Sequence, residues 1–420
     1  MSTPIDQPTD DAAFDIDLEP DYAPTVVPSS AGVMLTDLPA LPKDAVLLHI
    51  GVHKTGTTAI QAALADARPE LRRNDVYYPG KRPAQHRAAL AILQRPWGWV
   101  DRGAEVYGRS NFDEMAQRVR DFTGRVVISS EFFCETSAES ATEVVEALGG
   151  DNVHVVVTLR NLGALLPSSW QQYLKYGLAT GYFKWLRNVF ENPGGSSMTP
   201  SFWGRMDHQA VVNRWLAAVP PERLTVMILE DVDRSAVFRA FEQLLALPDE
   251  LLVSRMNLTS NRSMSAVESQ LLLDLNRKVA LELDWVNYQR YVRRGVALRM
   301  VEEREPAPDE PRLYTPRWAL EAASQMGGGA ATYLRESGVR IVGNVDALGR
   351  IAPTGTKTQV DERRMIPSEV AIAALKAVIE VASEPASDEV VPTKALANEL
   401  WGRVKADGKA RWSNRSFRKP

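Results

Sequence analysis

The chain has 420 residues, a formal net charge of −4 and 45% hydrophobic residues, enough for two or three structural units and a sizeable core. Its single cysteine, Cys134, excludes an intramolecular disulfide and cysteine-rich zinc sites. No apolar run approaches the ~18 residues of a membrane span, no basic-then-apolar leader opens the chain, and the mild acidity argues against a general nucleic-acid binder; the expectation is a cytoplasmic protein without a transmembrane segment.

From Asp6 to Asp37 the chain is acidic and proline-rich, with no Lys or Arg before Lys43. Such a segment cannot bury enough apolar surface to offset the entropy of ordering, so residues 1–42 read as a disordered leader. The run Ala45-Val46-Leu47-Leu48 has the length of a buried strand. It leads into His49-Ile50-Gly51-Val52-His53-Lys54-Thr55-Gly56-Thr57-Thr58, after which Ile60, Ala63, Leu64 and Ala67 recur at helical spacing. This is strand, glycine-containing loop and helix in succession. N–H groups at a helix start lack intrahelical partners and lie at the positive end of the helix dipole. Gly51 and Gly56 permit tight turns, Lys54 adds a cation, and Thr57 and Thr58 add hydroxyls. Together they make an oxyanion cradle, most simply for phosphate. A Walker loop places its lysine after the second glycine, whereas Lys54 precedes Gly56.

Further on, Val76-Tyr77-Tyr78 reads as a short strand, and Gln85 to Leu93 as a helix with His86 near its start. Arg125 to Glu131 is a buried-strand candidate, and Val144, Val145 and Leu148 mark a helix ending at Gly149-Gly150. Val153 to Arg160 is the strongest strand in the sequence. This alternation implies βαβ units and a parallel sheet covered on both faces. Ligands of such sheets bind outside the carboxyl ends of the strands. The order of elements puts the Lys54 loop, Glu131 and Arg160 on that edge.

From Lys175 to Met206 the pattern breaks into aromatic residues around Asn192-Pro193-Gly194-Gly195, either an aromatic-rich lid or acceptor-binding insertion, or a loop pinned by aromatic anchors. Val211 to Ala218 reads as a helix and Arg223 to Glu230 as a strand. Ser265-Ala266-Val267-Glu268 fits a capping box opening a helix with Val267, Leu271, Leu275 and Val279 on one stripe. Just before it, Arg262 is either a phosphate contact or part of a solvated turn. Leu320 to Leu334 is helical around Gly327-Gly328-Gly329, Val339 to Val342 is a small strand, and Ser368 to Ala382 is an amphipathic helix. Another helix is expected near Ala395 to Val404, before a basic tail. The expected organisation is an α/β domain over 43–350, then a linker, helical appendage and tail over 351–420.

At the end of the strongest strand stands Arg160-Asn161-Leu162-Gly163-Ala164-Leu165-Leu166-Pro167-Ser168-Ser169-Trp170. With the His-Lys-Thr-Gly-Thr-Thr loop of residues 53–58, this resembles the sulfotransferases that use 3′-phosphoadenosine 5′-phosphosulfate (PAPS), in their bacterial branch. The likeness covers roughly residues 44–350 and is strongest over 46–64 and 153–177. It implies a P-loop-like α/β fold, PAPS as co-substrate, no metal, and sulfuryl transfer to the hydroxyl of a glycan, lipid-linked or small-molecule acceptor. It further implies that His53, Lys54, Thr55, Gly56, Thr57 and Thr58 hold the 5′-phosphosulfate, while Arg160 and Ser168 hold the 3′-phosphate. A guanidinium fork with a hydroxyl beside it suits a phosphate.

The chain departs from that family in two places. Cytosolic members carry a catalytic histidine where this chain reads Ser129-Ser130-Glu131, so Glu131 would be the base, as in the glycan-modifying branch, with His86 and His53 as rivals. Lys54 would stabilise the leaving group. The glycine-rich segment near the end of cytosolic members has no counterpart, and residues 1–42 and 360–420 match nothing in the family. Two other readings stand beside this one. A P-loop kinase or nucleotide hydrolase would hold Mg²⁺ through Thr57 and Glu131, and a nucleotide-sensing scaffold would keep the site without catalysis. The sequence sets neither the acceptor nor the oligomeric state.

Overall fold

The computed structural model describes residues 38–99, 103–192, 198–230, 232–256, 262–279, 282–353 and 366–383. Six strands form one sheet: β1 (Val46–His49), β2 (Val76–Tyr77), β3 (Arg125–Ser129), β4 (Val153–Arg160), β5 (Leu224–Leu229) and β6 (Arg340–Val342). Their order is β2-β3-β1-β4-β5-β6, and every pairing is parallel. The expected parallel α/β sheet is therefore the architecture. The strands read as unbroken apolar runs because both faces are covered. Leu48, Ile128, Val155 and Val157 pack into one core, and Leu47, Val127, Val156 and Met227 into the core on the opposite face.

A third core is helical, and it gathers parts of the chain that the sequence kept separate. Helices Leu162–Leu174, Tyr182–Glu191, Phe202–Met206 and Ala266–Val279 contribute to it, as does the helical run through Trp285–Asn287, Tyr288–Arg299 and Met300–Glu303. The aromatic stretch expected as a lid or pinned loop is built into this core, with Tyr182, Trp185, Phe202 and Trp203 all buried. These aromatic side chains are anchors, while Lys175, Tyr176 and Thr199 of the same stretch line the main cleft. Helix Ser368–Ser383 also joins this core through Val370 and Ala374. Its Val381 carbonyl accepts from Arg290 Nη2 at 3.2 Å, and Glu380 Oε2 pairs with Arg299 Nη1 at 2.6 Å. Residues 1–37 of the leader, the helix Ala395 to Val404 and the basic tail lie outside the described residues.

The capping box forms: Ser265 N–H donates to Glu268 Oε2 at 2.9 Å, and Glu268 N–H donates to Ser265 Oγ at 3.1 Å. The expected stripe of Val267, Leu271, Leu275 and Val279 is only partly buried. The fully buried face is Glu268, Ser269, Leu272, Leu273 and Asn276, because arginines and amides elsewhere satisfy its polar groups. Gly327 is not there for flexibility. It lies within the continuous helix Arg317–Glu336, and a Cβ on it would stand 1.9 Å from the Leu348 carbonyl oxygen.

At the N-terminal boundary, Leu38 and Leu41 are buried, and Leu41 N–H donates to Leu244 O at 2.9 Å. The core thus reaches a few residues before the expected start at 43. Deleting residues 1–36 should leave the melting temperature unchanged. Deleting 1–42 removes two buried leucines, at about 2–5 kcal/mol each, and should lower it by roughly 5 °C or more. A comparable drop in the shorter deletion would refute the boundary. Among the described residues, no helix is long and apolar enough to cross a membrane.

Candidate active site

The site begins with a buried polar tie across three strands. His49, the last residue of β1, meets Ser129 Oγ through Nδ1 at 2.8 Å and Thr158 Oγ1 through Nε2 at 3.2 Å. Burial pushes its pKa down to about 4, so the ring is neutral at physiological pH. Beyond it the chain keeps pairing with β4: Ile50 N–H donates to Val156 O at 3.0 Å and Val52 N–H to Thr158 O at 2.9 Å. The loop then turns through left-handed residues at Gly51 (φ 87°), Lys54 (φ 66°) and Gly56 (φ 76°). Such interruptions aim successive N–H groups inward as an anion-binding nest. Among the described residues, no N–H from His53 to Thr58 donates to a backbone carbonyl, and helix Thr57–Asp66 starts without a side-chain cap.

The loop side chains divide between support and cleft. Thr55 Oγ1 donates to Val52 O at 2.7 Å and pairs with Thr158 Oγ1 at 2.7 Å, so its hydroxyl fixes the turn. His53 Nε2 meets Glu135 Oε1 at 2.9 Å. Glu135 also pairs with Arg205 at 3.0 Å and with Arg95, so the His53 ring is engaged in a buried charge cluster. Burial and then Arg205 hold the His53 pKa below its ordinary value. Lys54 has no ion-pair partner within 4 Å among the described residues. Burial and the Arg160 charge lower its pKa, and Glu131 works against them.

Register brings the second strand end alongside. Ser129 of β3 pairs with His49 of β1, and two residues later Glu131 lies against Gly51. A Cβ on Gly51 would stand 2.8 Å from Glu131 Cβ and 2.9 Å from its Cα. Glycine is thus required there by close approach as well as by φ. Gln61 Nε2 donates to Glu131 Oε2 at 3.0 Å, and Oε1 lies 3.7 Å from His86 Nε2. The other His86 nitrogen, Nδ1, meets Ser130 Oγ at 2.8 Å. Burial alone would raise the Glu131 pKa, but His86, His53 and the Gln61 hydrogen bond bring it down to about 2. Glu131 is an anion at neutral pH.

Arg160 ends β4. Asn161 then caps helix Leu162–Leu174 by accepting from Ala164 N–H at 3.2 Å, and Ser168 follows inside it. Ser168 Oγ donates to Leu165 O at 3.0 Å, so it must turn from that carbonyl to donate elsewhere. Lys54, Thr57, Thr58, His86, Glu131, Arg160 and Ser168 all line one cleft of about 3110 Å³. One small-molecule site occupies ~300–1,000 Å³, so two substrates have room here. Arg262 has another role: its guanidinium forks onto Glu268 at 2.7 and 2.8 Å and donates to the Met300 and Arg304 carbonyls. It clamps the capping box to the neighbouring helical run.

Sequence reasoning missed several contributors. Gln61 carries no motif, yet it holds Glu131. Gln85 accepts from Ser129 N–H at 2.8 Å and donates to Pro79 O at 2.8 Å, which seats the helix carrying His86. Glu135 closes the short 3-10 helix that Glu131 opens, and that proximity in sequence was the one available signal. Lys175 and Arg293 line the cleft from segments that showed no phosphate motif. Among the described residues, no cluster of three or more His, Cys, Asp or Glu could hold a metal ion.

No protein-family model matches the chain, and no curated protein matches it. Among solved structures, a sulfotransferase from Alicyclobacillus acidocaldarius is similar at 18% identity, over 58% of this chain and 98% of that one, with a TM-score of 0.37. A likeness of that size leaves the function to be argued from the cleft itself.

Proposed function

We propose that this protein is a sulfotransferase that moves the sulfuryl group of PAPS to an acceptor hydroxyl and releases adenosine 3′,5′-bisphosphate. One observation carries the reading. The loop whose lysine precedes its second glycine presents N–H groups with no backbone partner on the edge where Glu131, Arg160 and Ser168 also line the cleft. Lys54 and the loop N–H groups stabilise the leaving phosphate oxygen, Arg160 and Ser168 hold the 3′-phosphate, and Glu131 takes the acceptor proton. The acceptor oxygen bonds to sulfur as the bond from sulfur to the phosphate oxygen breaks. The donor set suits the anion, because the lysine charge is not spent on a carboxylate.

Incubation with radiolabelled PAPS and a panel of hydroxyl acceptors, without added metal, tests the reading. Transfer of label supports it. A requirement for Mg²⁺ with a nucleoside triphosphate would favour a kinase or hydrolase, and nucleotide binding without transfer would favour a sensing scaffold. Calorimetry adds a sharper expectation: adenosine 3′,5′-bisphosphate should bind at least tenfold more tightly than 5′-AMP, since charged hydrogen bonds contribute about 1.5–3 kcal/mol. Arg160→Ala should remove that preference while leaving 5′-AMP almost unchanged. Equal affinities in the parent protein would defeat the assignment of the 3′-phosphate clamp.

A further inference from the structure

Beside Glu131 the cleft wall turns aromatic. His86 meets Trp97 edge-on at 5.4 Å, and Trp97 meets Phe132 at 5.7 Å. Trp97 Nε1 donates to the Tyr176 hydroxyl, and Tyr176 stacks on Trp285 at 5.8 Å and 12°. Over this wall lies Arg293, with its guanidinium 5.6 Å from the Trp97 ring centre and 5.0 Å from that of Tyr176, while the Arg95 guanidinium over Phe132 is already paired with Glu135. The Arg293 Nε is buried without a hydrogen-bond partner, and no carboxylate pairs with Arg293 among the described residues.

Lys175, the C-cap of helix Leu162–Leu174 and the chain neighbour of Tyr176, is a further cation lining the cleft. Among the described residues it too lacks an ion pair. The carboxylate within its electrostatic reach, Glu268, is already shared between Arg262 and Arg304 at 2.7 and 2.8 Å. Burial, together with Lys54, Arg293 and Arg262, pushes the Lys175 ammonium down to about 7. An incoming anion relieves that stress. The donors assigned to the nucleotide are the loop, Arg160 and Ser168, and neither Arg293 nor Lys175 is among them.

We propose that Arg293 and Lys175 form an anion-binding subsite for the acceptor, which is a ring-bearing molecule with a negative charge of its own, stacked on Trp97 and Tyr176. This deepens the sulfotransferase reading and rests on it for the word acceptor, although the binding chemistry stands apart from catalysis. The aromatic faces take the ring, and the two cations take a carboxylate, sulfate or phosphate on it. Like charges gathered without counter-ions in a low-dielectric cleft favour an anion over a neutral analogue.

A matched pair of probes tests this: p-nitrophenyl β-glucuronide and p-nitrophenyl β-glucoside, which differ by one carboxylate. Their affinities are measured by calorimetry on the full chain, with and without saturating adenosine 3′,5′-bisphosphate. The glucuronide should bind at least tenfold more tightly, Arg293→Met and Lys175→Met should each erase most of the preference, and Arg293→Lys should retain part of it. Thermal melts show whether each variant is folded. The bisphosphate affinity of Arg293→Met should match the parent. Equal binding of the two sugars, or no binding of either, overturns the subsite. So does a preference that survives in folded Arg293→Met and Lys175→Met. A parent protein that discriminates between the sugars but ignores the bisphosphate would keep the subsite and remove the sulfotransferase reading.

Discussion

Lys54→Ala is expected to lower turnover by roughly 10²–10³-fold, the usual cost of deleting one preorganised donor from a developing oxyanion. The lysine is held in place by the fold. Its backbone sits at φ 66°, a region non-glycine residues seldom occupy, between β1 and the helix start. Burial and Arg160 strain its ammonium, and that destabilisation is offset when negative charge grows on the leaving oxygen. The same charge meets the ground-state phosphosulfate, so KM for PAPS should rise as well. Lys54→Arg should restore part of the ground-state affinity but less of the turnover, because a planar fork does not reproduce a compact ammonium. Steady-state kinetics over a PAPS titration separate the two effects. Parental turnover in Lys54→Ala would remove the lysine from the chemistry.

Much of this architecture was legible because a parallel sheet writes itself in apolar runs. Val153–Arg160 is a strand over the very residues that read as one, and the helix expected from Gln85 runs His86–Leu93 with Gln85 as its N-cap. The clustering of the Lys54 loop, Glu131 and Arg160 followed from chain order, since parallel strands must present their carboxyl ends together. Other features were hidden for physical reasons. The buried face of helix Ala266–Val279 is rich in polar residues, satisfied by Gln171 and Arg304, remote in sequence, and by Arg262 and Tyr288 from the flanking segments. A hydrophobic stripe therefore pointed to the partly buried side. The aromatic stretch after Lys175 looked like a loop because its helices, Tyr182–Glu191 and Phe202–Met206, are short and interrupted by glycine and proline. Gln61 and Lys175 gave no signal, since a lone amide or ammonium acquires meaning only from what the fold places beside it.

Glu131→Gln is expected to lower turnover by about 10²-fold or more while sparing affinity for adenosine 3′,5′-bisphosphate. Glutamine preserves the size of the side chain and its hydrogen bond with Gln61, but it takes no proton at neutral pH. His86 is the competing base, with its Nε2 3.7 Å from Glu131 Oε1. The pH profile distinguishes them. A carboxyl held at about 2 is already ionised throughout the range in which the protein is assayed, so with Glu131 as base the turnover should show no acid limb between pH 5 and 8. An acid limb inside that range would instead assign proton removal to another group. The low pKa also makes Glu131 a weak proton acceptor by itself. Its desolvation opposes the stabilising histidines and Gln61, so an acceptor that excludes water beside it should raise its basicity. If His86→Ala abolishes turnover with nucleotide binding intact, while Glu131→Gln works nearly as well as the parent, the proton goes to the histidine and the carboxylate only orients it.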